Sequence, residues 1–178
     1  VLTYDDGPGR SATRRVMEIL GEERVLATFF VICRNELSCV KSLWLAKVSR
    51  HEVGCHGHDH ANAWKVWPWR AAADLARGIL EIREAGIPCR LYRPPYGKAT
   101  LGTMLLARRL GLRTCWWTHV SGDTFQPRPP VSDVVSRVIR SGGGVVLMHD
   151  FDGDAAREEY MLEVTRTLIR EWRRVGGQ

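Results

Sequence analysis

One feature restricts the fold more than any other. Short apolar runs alternate in series with longer segments of helical period. The runs are Val1–Tyr4, Leu26–Ile32, Glu52–Cys55, Cys89–Tyr92, Arg113–Trp117 and Gly144–Met148. The helical segments are Ala12–Glu22, Leu37–Arg50, Trp69–Ala85, Thr100–Leu110, Val131–Ser141 and Ala155–Val175. In the last of these, Tyr160, Val164, Leu168 and Trp172 recur every four residues, as one helix face requires. Gly86-Ile87-Pro88 and Gly111-Leu112 stop helices ahead of the next strand. Six strand–helix pairs in series predict a parallel sheet with crossover helices, either open or closed into a barrel. The 178 residues contain no linker, repeat or low-complexity stretch, so a single domain is expected.

Composition narrows the class. Apolar residues make up 44% and charged residues 26%, which excludes a disordered tail and a collagen-like repeat. No stretch approaches the ~18 consecutive apolar residues of a membrane span. Lys and Arg total 26 against 20 Asp and Glu, a net charge of +6. The basic residues are scattered over helix faces, which reads as a solvated surface and not as a nucleic-acid footprint. Five cysteines (Cys33, Cys39, Cys55, Cys89 and Cys115) cannot all pair within one chain, and no C-x-x-C occurs. Cysteine usage leans towards a reducing compartment. Val1 already reads as strand, with no export signal before it, so the chain is expected to begin inside a longer gene product.

Chemistry in parallel βα folds gathers at the carboxyl ends of the strands. After the first run come two adjacent carboxylates in Tyr4-Asp5-Asp6-Gly7-Pro8. After the third come three histidines in five residues, His56-Gly57-His58-Asp59-His60. Neutral imidazole is the commonest metal ligand. Either His56 and His60 act with a carboxylate from elsewhere, or the site uses His58. After the fourth run, the prolines of Arg93-Pro94-Pro95-Tyr96-Gly97 lock the backbone and project Arg93 and Tyr96. After the fifth comes His119-Val120-Ser121-Gly122-Asp123-Thr124, and after the sixth Leu147-Met148-His149-Asp150. Trp64, Trp67 and Trp69 follow the histidines closely, as rings that stack on sugars or pack a loop onto the body, and Trp69, which opens the following helix, is the one expected to pack.

Taken together, these segments resemble the polysaccharide deacetylase family (NodB-homology domain, carbohydrate esterase family 4) from Leu2 to about Val175. The family's T-F-D-D-G-P stands as Thr3-Tyr4-Asp5-Asp6-Gly7-Pro8, and its A-T-F-F as Ala27-Thr28-Phe29-Phe30. Its H-S/T-x-x-H pattern matches His56 to His60 with Gly57 in place of the hydroxyl residue. R-x-P-Y is Arg93-Pro94-Pro95-Tyr96, and L-x-H is Leu147-Met148-His149. In D-x-x-D-W, Val120 takes the first Asp place, Asp123 the second, and Thr124 replaces Trp.

The resemblance implies an α/β fold, a distorted, incomplete (β/α) barrel of the NodB-homology type. Residues 1–178 would form one catalytic domain trimmed at both ends, since Gly176-Gly177-Gln178 stops where one more strand is expected. It implies one divalent metal ion, Zn²⁺ before Co²⁺ or Ni²⁺, held by Asp6, His56 and His60. Asp5 would be the general base, with Arg93 favouring its ionised form. His149 would be the general acid, paired with Asp123, and the Tyr96 backbone N–H would bind the oxyanion. Pro95, Tyr96 and Leu147 would line the substrate, with Trp64 and Trp67 as a replacement sugar wall. The implied reaction is removal of an N-acetyl group from an amino-sugar glycan or glycoconjugate by a monomer. Three alternatives remain open: O-acetyl ester hydrolysis on a polysaccharide such as xylan, cleavage of a non-sugar amide, and a carbohydrate-binding module that has lost catalysis. The family is commonly extracytoplasmic and the cysteines pull towards the cytoplasm, so cytoplasm, envelope and secretion all stay open.

Overall fold

The computed structural model describes residues 1–34 and 50–177. In chain order the elements are β1 (Leu2–Asp5), α1 (Ala12–Glu22), β2 (Ala27–Val31), β3 (Glu52–Cys55), α2 (Pro68–Glu84), β4 (Leu91–Tyr92), a 3₁₀ turn (Pro95–Gly97), α3 (Leu101–Arg109), β5 (Arg113–Thr114), β6 (His119–Val120), α4 (Val131–Arg140), β7 (Val146–His149) and α5 (Ala155–Arg174). The helix expected from Leu37, and Cys39 with it, lie outside the described residues. The chain forms two compact units, one of Val1–Ala27 with Trp117–Gln178, the other of Thr28–Trp116.

In the first unit three parallel strands run in the order β1-β7-β6, with Asp5 opposite His149 and Val120 opposite Leu147. Helix α1 buries Ala12, Thr13, Val16, Ile19 and Leu20, a single stripe at helical spacing. Helix α5 buries Met161, Leu162, Val164, Thr165, Leu168 and Ile169. Tyr4 is fully buried, and its hydroxyl lies 3.0 Å from that of Thr165, which ties β1 to α5. Burying a side chain such as Leu162 contributes about 1.5–3 kcal/mol. Truncation to Ala would cost about 2–5 kcal/mol, because a close-packed site collapses only partly.

In the second unit four parallel strands run β2-β3-β4-β5, with Val31 opposite Cys55, Cys55 opposite Tyr92, and Tyr92 opposite Thr114. All five residues of β2 are buried, the mark of a strand covered on both faces. Helix α2 starts with Pro68 at its first position, where a missing N–H costs nothing. It buries Ala71, Asp74, Leu75, Gly78, Ile79 and Ile82 along one face. Asp74 is the one acid in that stripe.

The strand expected over Arg113–Trp117 is shorter, and the His119–Val120 segment expected to follow it is a further strand. Β5 ends at Thr114, the chain passes from one unit to the other at Trp116–Trp117, and β6 begins at His119. Two-residue strands are too short to show any alternation, so β6 leaves no strand signal of its own. His119 is a structural histidine, with Nε2 against the Ser141 hydroxyl (2.9 Å) and the Gly143 carbonyl (3.2 Å). Cys33, Cys55, Cys89 and Cys115 are free thiols, and the first three are buried.

Candidate active site

The first unit holds Asp5, Asp6, Asp123 and His149. Β1 delivers Asp5, 3% exposed, at its carboxyl end. Asp6 then turns out of the strand at φ 68°, so the two adjacent carboxylates diverge. The loop behind them is tied to the end of β7. Gly9 N–H donates to the Asp150 carbonyl (3.2 Å), and the Thr13 hydroxyl lies 2.5 Å from the Asp150 carboxylate. Burial pushes that carboxyl up to about 7 against the Thr13 bond, with the charges of Asp5 and Asp6 adding to the rise. Asp152 caps α1 from outside, accepting from the N–H groups of Arg10, Ser11 and Ala12.

His149 is the last residue of β7. Its Nδ1 lies 3.1 Å from Asp123 Oδ1, and its backbone N–H donates to Asp123 Oδ2 at 3.0 Å. Asp123 is 1% exposed and also accepts from the Ser121 hydroxyl at 2.7 Å. A carboxylate can only accept, so Nδ1 carries the proton and Nε2 is the atom that can exchange one with a substrate. Burial opposes the charged imidazole. The Asp123 hydrogen bond and charge, backed by Asp6 and Asp5, outweigh it and hold the His149 pKa above the usual value. Burial likewise opposes the Asp123 carboxylate, but His149, Ser121 and Arg157 keep its pKa below the usual range.

Arg157 has no counterpart in the sequence reading. It sits in the first turn of α5, 4% exposed, with Nη1 2.9 Å from the His149 carbonyl and 3.4 Å from Asp123 Oδ2. Its guanidinium lies 4.0 Å from the centre of the Phe151 ring. One arginine among many on helix faces gives no signal of burial. Leu147 is 8% exposed inside β7, opposite Thr3 and Val120. Thr124 is exposed, and beside it Phe125 exposes an aromatic ring where the motif lacks its Trp.

The second unit holds His56, His58 and His60. The His56 N–H donates to the Val31 carbonyl, and Nδ1 lies 2.7 Å from the Arg93 carbonyl. A carbonyl can only accept, so Nδ1 is protonated and Nε2 presents the lone pair, as an outer partner does for a ligating histidine. The His60 ring lies 4.9 Å from that of His56 and 4.3 Å from that of Tyr96. His58 faces elsewhere. It is 4% exposed, with Nδ1 3.0 Å from Asp59 and Nε2 3.1 Å from Glu81. His58, Asp59 and Asp74 could themselves group around an ion, but both Asp74 oxygens already accept backbone N–H groups. The donor chemistry of His56 and His60 fits a divalent metal with nitrogen ligands.

Arg93 is fully buried, packed 4.0 Å from the centre of the Phe30 ring, with Nη2 donating to the Trp116 carbonyl. Pro95 is buried in the 3₁₀ turn, and Tyr96 follows at φ 57° with its side chain exposed. That left-handed backbone at a bulky residue costs of order 1–3 kcal/mol and persists where its surroundings impose it. Trp64 is exposed. Its Nε1–H donates to the Ala99 carbonyl (2.9 Å), and Lys98 Nζ sits 4.2 Å over the ring. Trp67 and Trp69 stack at 5.0 Å and 8°. Trp69 was the tryptophan expected to pack inwards, and it is 67% exposed. It occupies the second helical position of α2, ahead of the buried stripe that starts at Ala71.

Comparison with known proteins matches these features. The family model described as polysaccharide deacetylase matches residues 1–115. A chitooligosaccharide deacetylase from Bradyrhizobium is 31% identical over 154 residues, 84% of this chain and 69% of that protein. A peptidoglycan-N-acetylglucosamine deacetylase from Listeria monocytogenes is 29% identical over 95% of this chain, which spans 35% of that longer protein. The fold matches a family 4 carbohydrate esterase from Streptomyces lividans with a TM-score of 0.84 at 22% identity, covering 98% of this chain and 88% of that one. The expected NodB-type α/β fold class is thereby shown. Among the described residues, no helix is long and apolar enough to cross a membrane. With the family model matched over 115 of 178 residues and a relative above 30% identity, the chain belongs to the polysaccharide deacetylase family.

Proposed function

We propose that this chain is a metal-dependent hydrolase that removes the N-acetyl group from an amino-sugar glycan. The observation that carries the reading is the pairing at the ends of β1 and β7. A buried carboxylate, Asp5, stands opposite a histidine whose Nδ1 is engaged by Asp123. A carbohydrate-binding module would need neither. Asp6, His56 and His60 are the residues proposed to hold the ion. When bound, a divalent ion lowers the pKa of water and polarises the acetyl carbonyl.

The protein's own groups then divide the work. Asp5 accepts the proton of the attacking water as its oxygen bonds to the carbonyl carbon. The carbonyl oxygen takes up negative charge and is held by the Tyr96 backbone N–H. His149 Nε2 donates its proton to the sugar nitrogen as the C–N bond breaks, so acetate and a free amine leave. Pro95, Tyr96 and Leu147 bound the acetyl group. Trp64 and Trp67 carry the glycan's apolar ring faces, and Phe125 offers the ring that Thr124 lacks. The relatives act on chitooligosaccharide and peptidoglycan by name, so the substrate class is an N-acetylglucosamine-containing glycan.

Acetate release from N-acetylglucosamine oligomers and from acetylated xylan tests the reading. Release from the oligomers is expected, and release from xylan alone would replace the amide with the ester.

A further inference from the structure

The segment from His56 to His60 must hold two imidazoles in one relative geometry, and its backbone is anchored on two sides. Towards β2, the Cys33 and Arg34 N–H groups donate to the carbonyls of Gly57 (3.3 Å) and His58 (2.9 Å). Towards α2, one residue does most of the holding. The Asp74 carbonyl accepts the His58 N–H at 3.1 Å. Its Oδ1 accepts the Asp59 N–H at 2.5 Å, and its Oδ2 the Ala61 N–H at 3.3 Å. The two carboxylate bonds therefore fall on the residues immediately before and after His60. His60 itself sits at φ 59°, a left-handed conformation that a non-glycine residue keeps only when its neighbours impose it. Asp74 is 8% exposed in a stripe otherwise made of Ala71, Leu75, Gly78, Ile79 and Ile82. A carboxylate in that position is retained for its hydrogen bonds and not for packing.

The loop is fitted to this carboxylate. Gly57 has φ +85°, and a Cβ there would lie 2.2 Å from Asp74 Oδ2. A Cβ on Gly78 would lie 2.8 Å from the Gly57 carbonyl carbon, so the helix approaches as closely as two glycines permit. We propose that Asp74 is a positioning residue that sets His60 for metal binding, and that Gly57 is its obligate partner. Where the family motif carries a hydroxyl side chain on the loop, this chain places a carboxylate from the helix. The inference rests on the reading of His60 as a ligand.

The test measures zinc affinity by competition with a chromophoric chelator, alongside the melting temperature of the zinc-free protein. His60→Ala checks the underlying reading and should abolish stoichiometric zinc. Asp74→Ala should weaken zinc about 10–100-fold, the usual effect of losing an outer partner. Asp74→Asn, which keeps one acceptor oxygen, should fall between that and wild type. Gly57→Ser should weaken zinc alone, while Gly57→Ser with Asp74→Ala should lose less than the two single changes together, because the clash has lost its partner and only the strain of a side chain at φ +85° remains. If Asp74→Ala does not fold, Asp74→Asn and Gly57→Ser decide the matter. Wild-type zinc affinity in folded Asp74 variants, with His60→Ala inactive towards zinc, would overturn the positioning role and leave the ligand reading intact. Wild-type affinity in His60→Ala would instead overturn the ligand reading.

Discussion

The two compact units expose different kinds of surface. In the first, the side chains proposed to move protons lie in a sequestered network. Asp5, Asp123 and Arg157 are each under 5% exposed, and Asp123 is shared among Ser121, His149 and Arg157. In the second, the histidines are set on a braced loop, and beyond them Trp64, Trp67 and Tyr96 stand more than half exposed. A sequestered network works by holding protons and charges in place, so damage to it should appear in turnover and in pH dependence. An exposed rim works by presenting area, so damage to it should appear in KM. Buried charges are also stability hazards. Removing Arg157 alone leaves the Asp123 carboxylate short of a buried cation, and breaking such a pair costs about 3–5 kcal/mol.

The largest expected effect is on metal binding. His56→Ala, His60→Ala and Asp6→Asn should each lose stoichiometric zinc and all acetate release. His58→Ala should keep zinc, since its ring is turned to Asp59 and Glu81. Metal analysis after dialysis reads this directly, and zinc lost only from the His58 variant would reverse the assignment. Next in size is Asp5→Asn, which removes the proton acceptor and should lower kcat by ~10²–10⁴ with zinc retained. Near-wild-type turnover in that variant would place the base elsewhere.

The third effect is a shift with a definite sign. His149 must be protonated to act, so activity should fall as pH rises through its pKa in the working complex. Asp123 raises that pKa despite burial, so Asp123→Asn should move the alkaline limb to lower pH. Arg157→Gln withdraws a cation from the same neighbourhood and should move the limb to higher pH. Two shifts in the same direction would break the network picture. The smallest effects belong to the rim. Trp64→Ala and Trp67→Ala should raise KM for a glycan with a smaller change in kcat, and leave a small acetyl ester almost unaffected. Trp69→Ala should change stability by less than about 0.5 kcal/mol, as exposed positions do. Thermal melts of the three variants check this, and a large loss at Trp64 or Trp67 with KM unchanged would mark them as packing residues.

The sequence displays the motif residues because they stand at strand ends, where polar clusters interrupt apolar runs. Helix α2 was legible from Ala71, Leu75, Ile79 and Ile82 at helical spacing, and Asp74 within that stripe was a visible anomaly that draws meaning only from the loop it meets. Arg157 left no trace, since burial of one charged residue depends on tertiary partners that no local pattern records. Strand β6 was hidden for the opposite reason, that two residues carry too little periodicity to mark a strand. The exposure of Trp69 was misjudged because aromatic residues at a helix start pack inwards or outwards with the same local sequence.

The proposed reaction is hydrolysis of an acetamide on an amino sugar with the help of a divalent ion. The most direct measurement follows acetate released from an N-acetylglucosamine oligomer by the purified protein, first as prepared, then after complete chelation, then after zinc is returned. Release that stops on chelation and resumes with zinc is the predicted result. Release that continues undiminished in the fully chelated protein, or none from the zinc-loaded protein on any N-acetylated glycan, would contradict it.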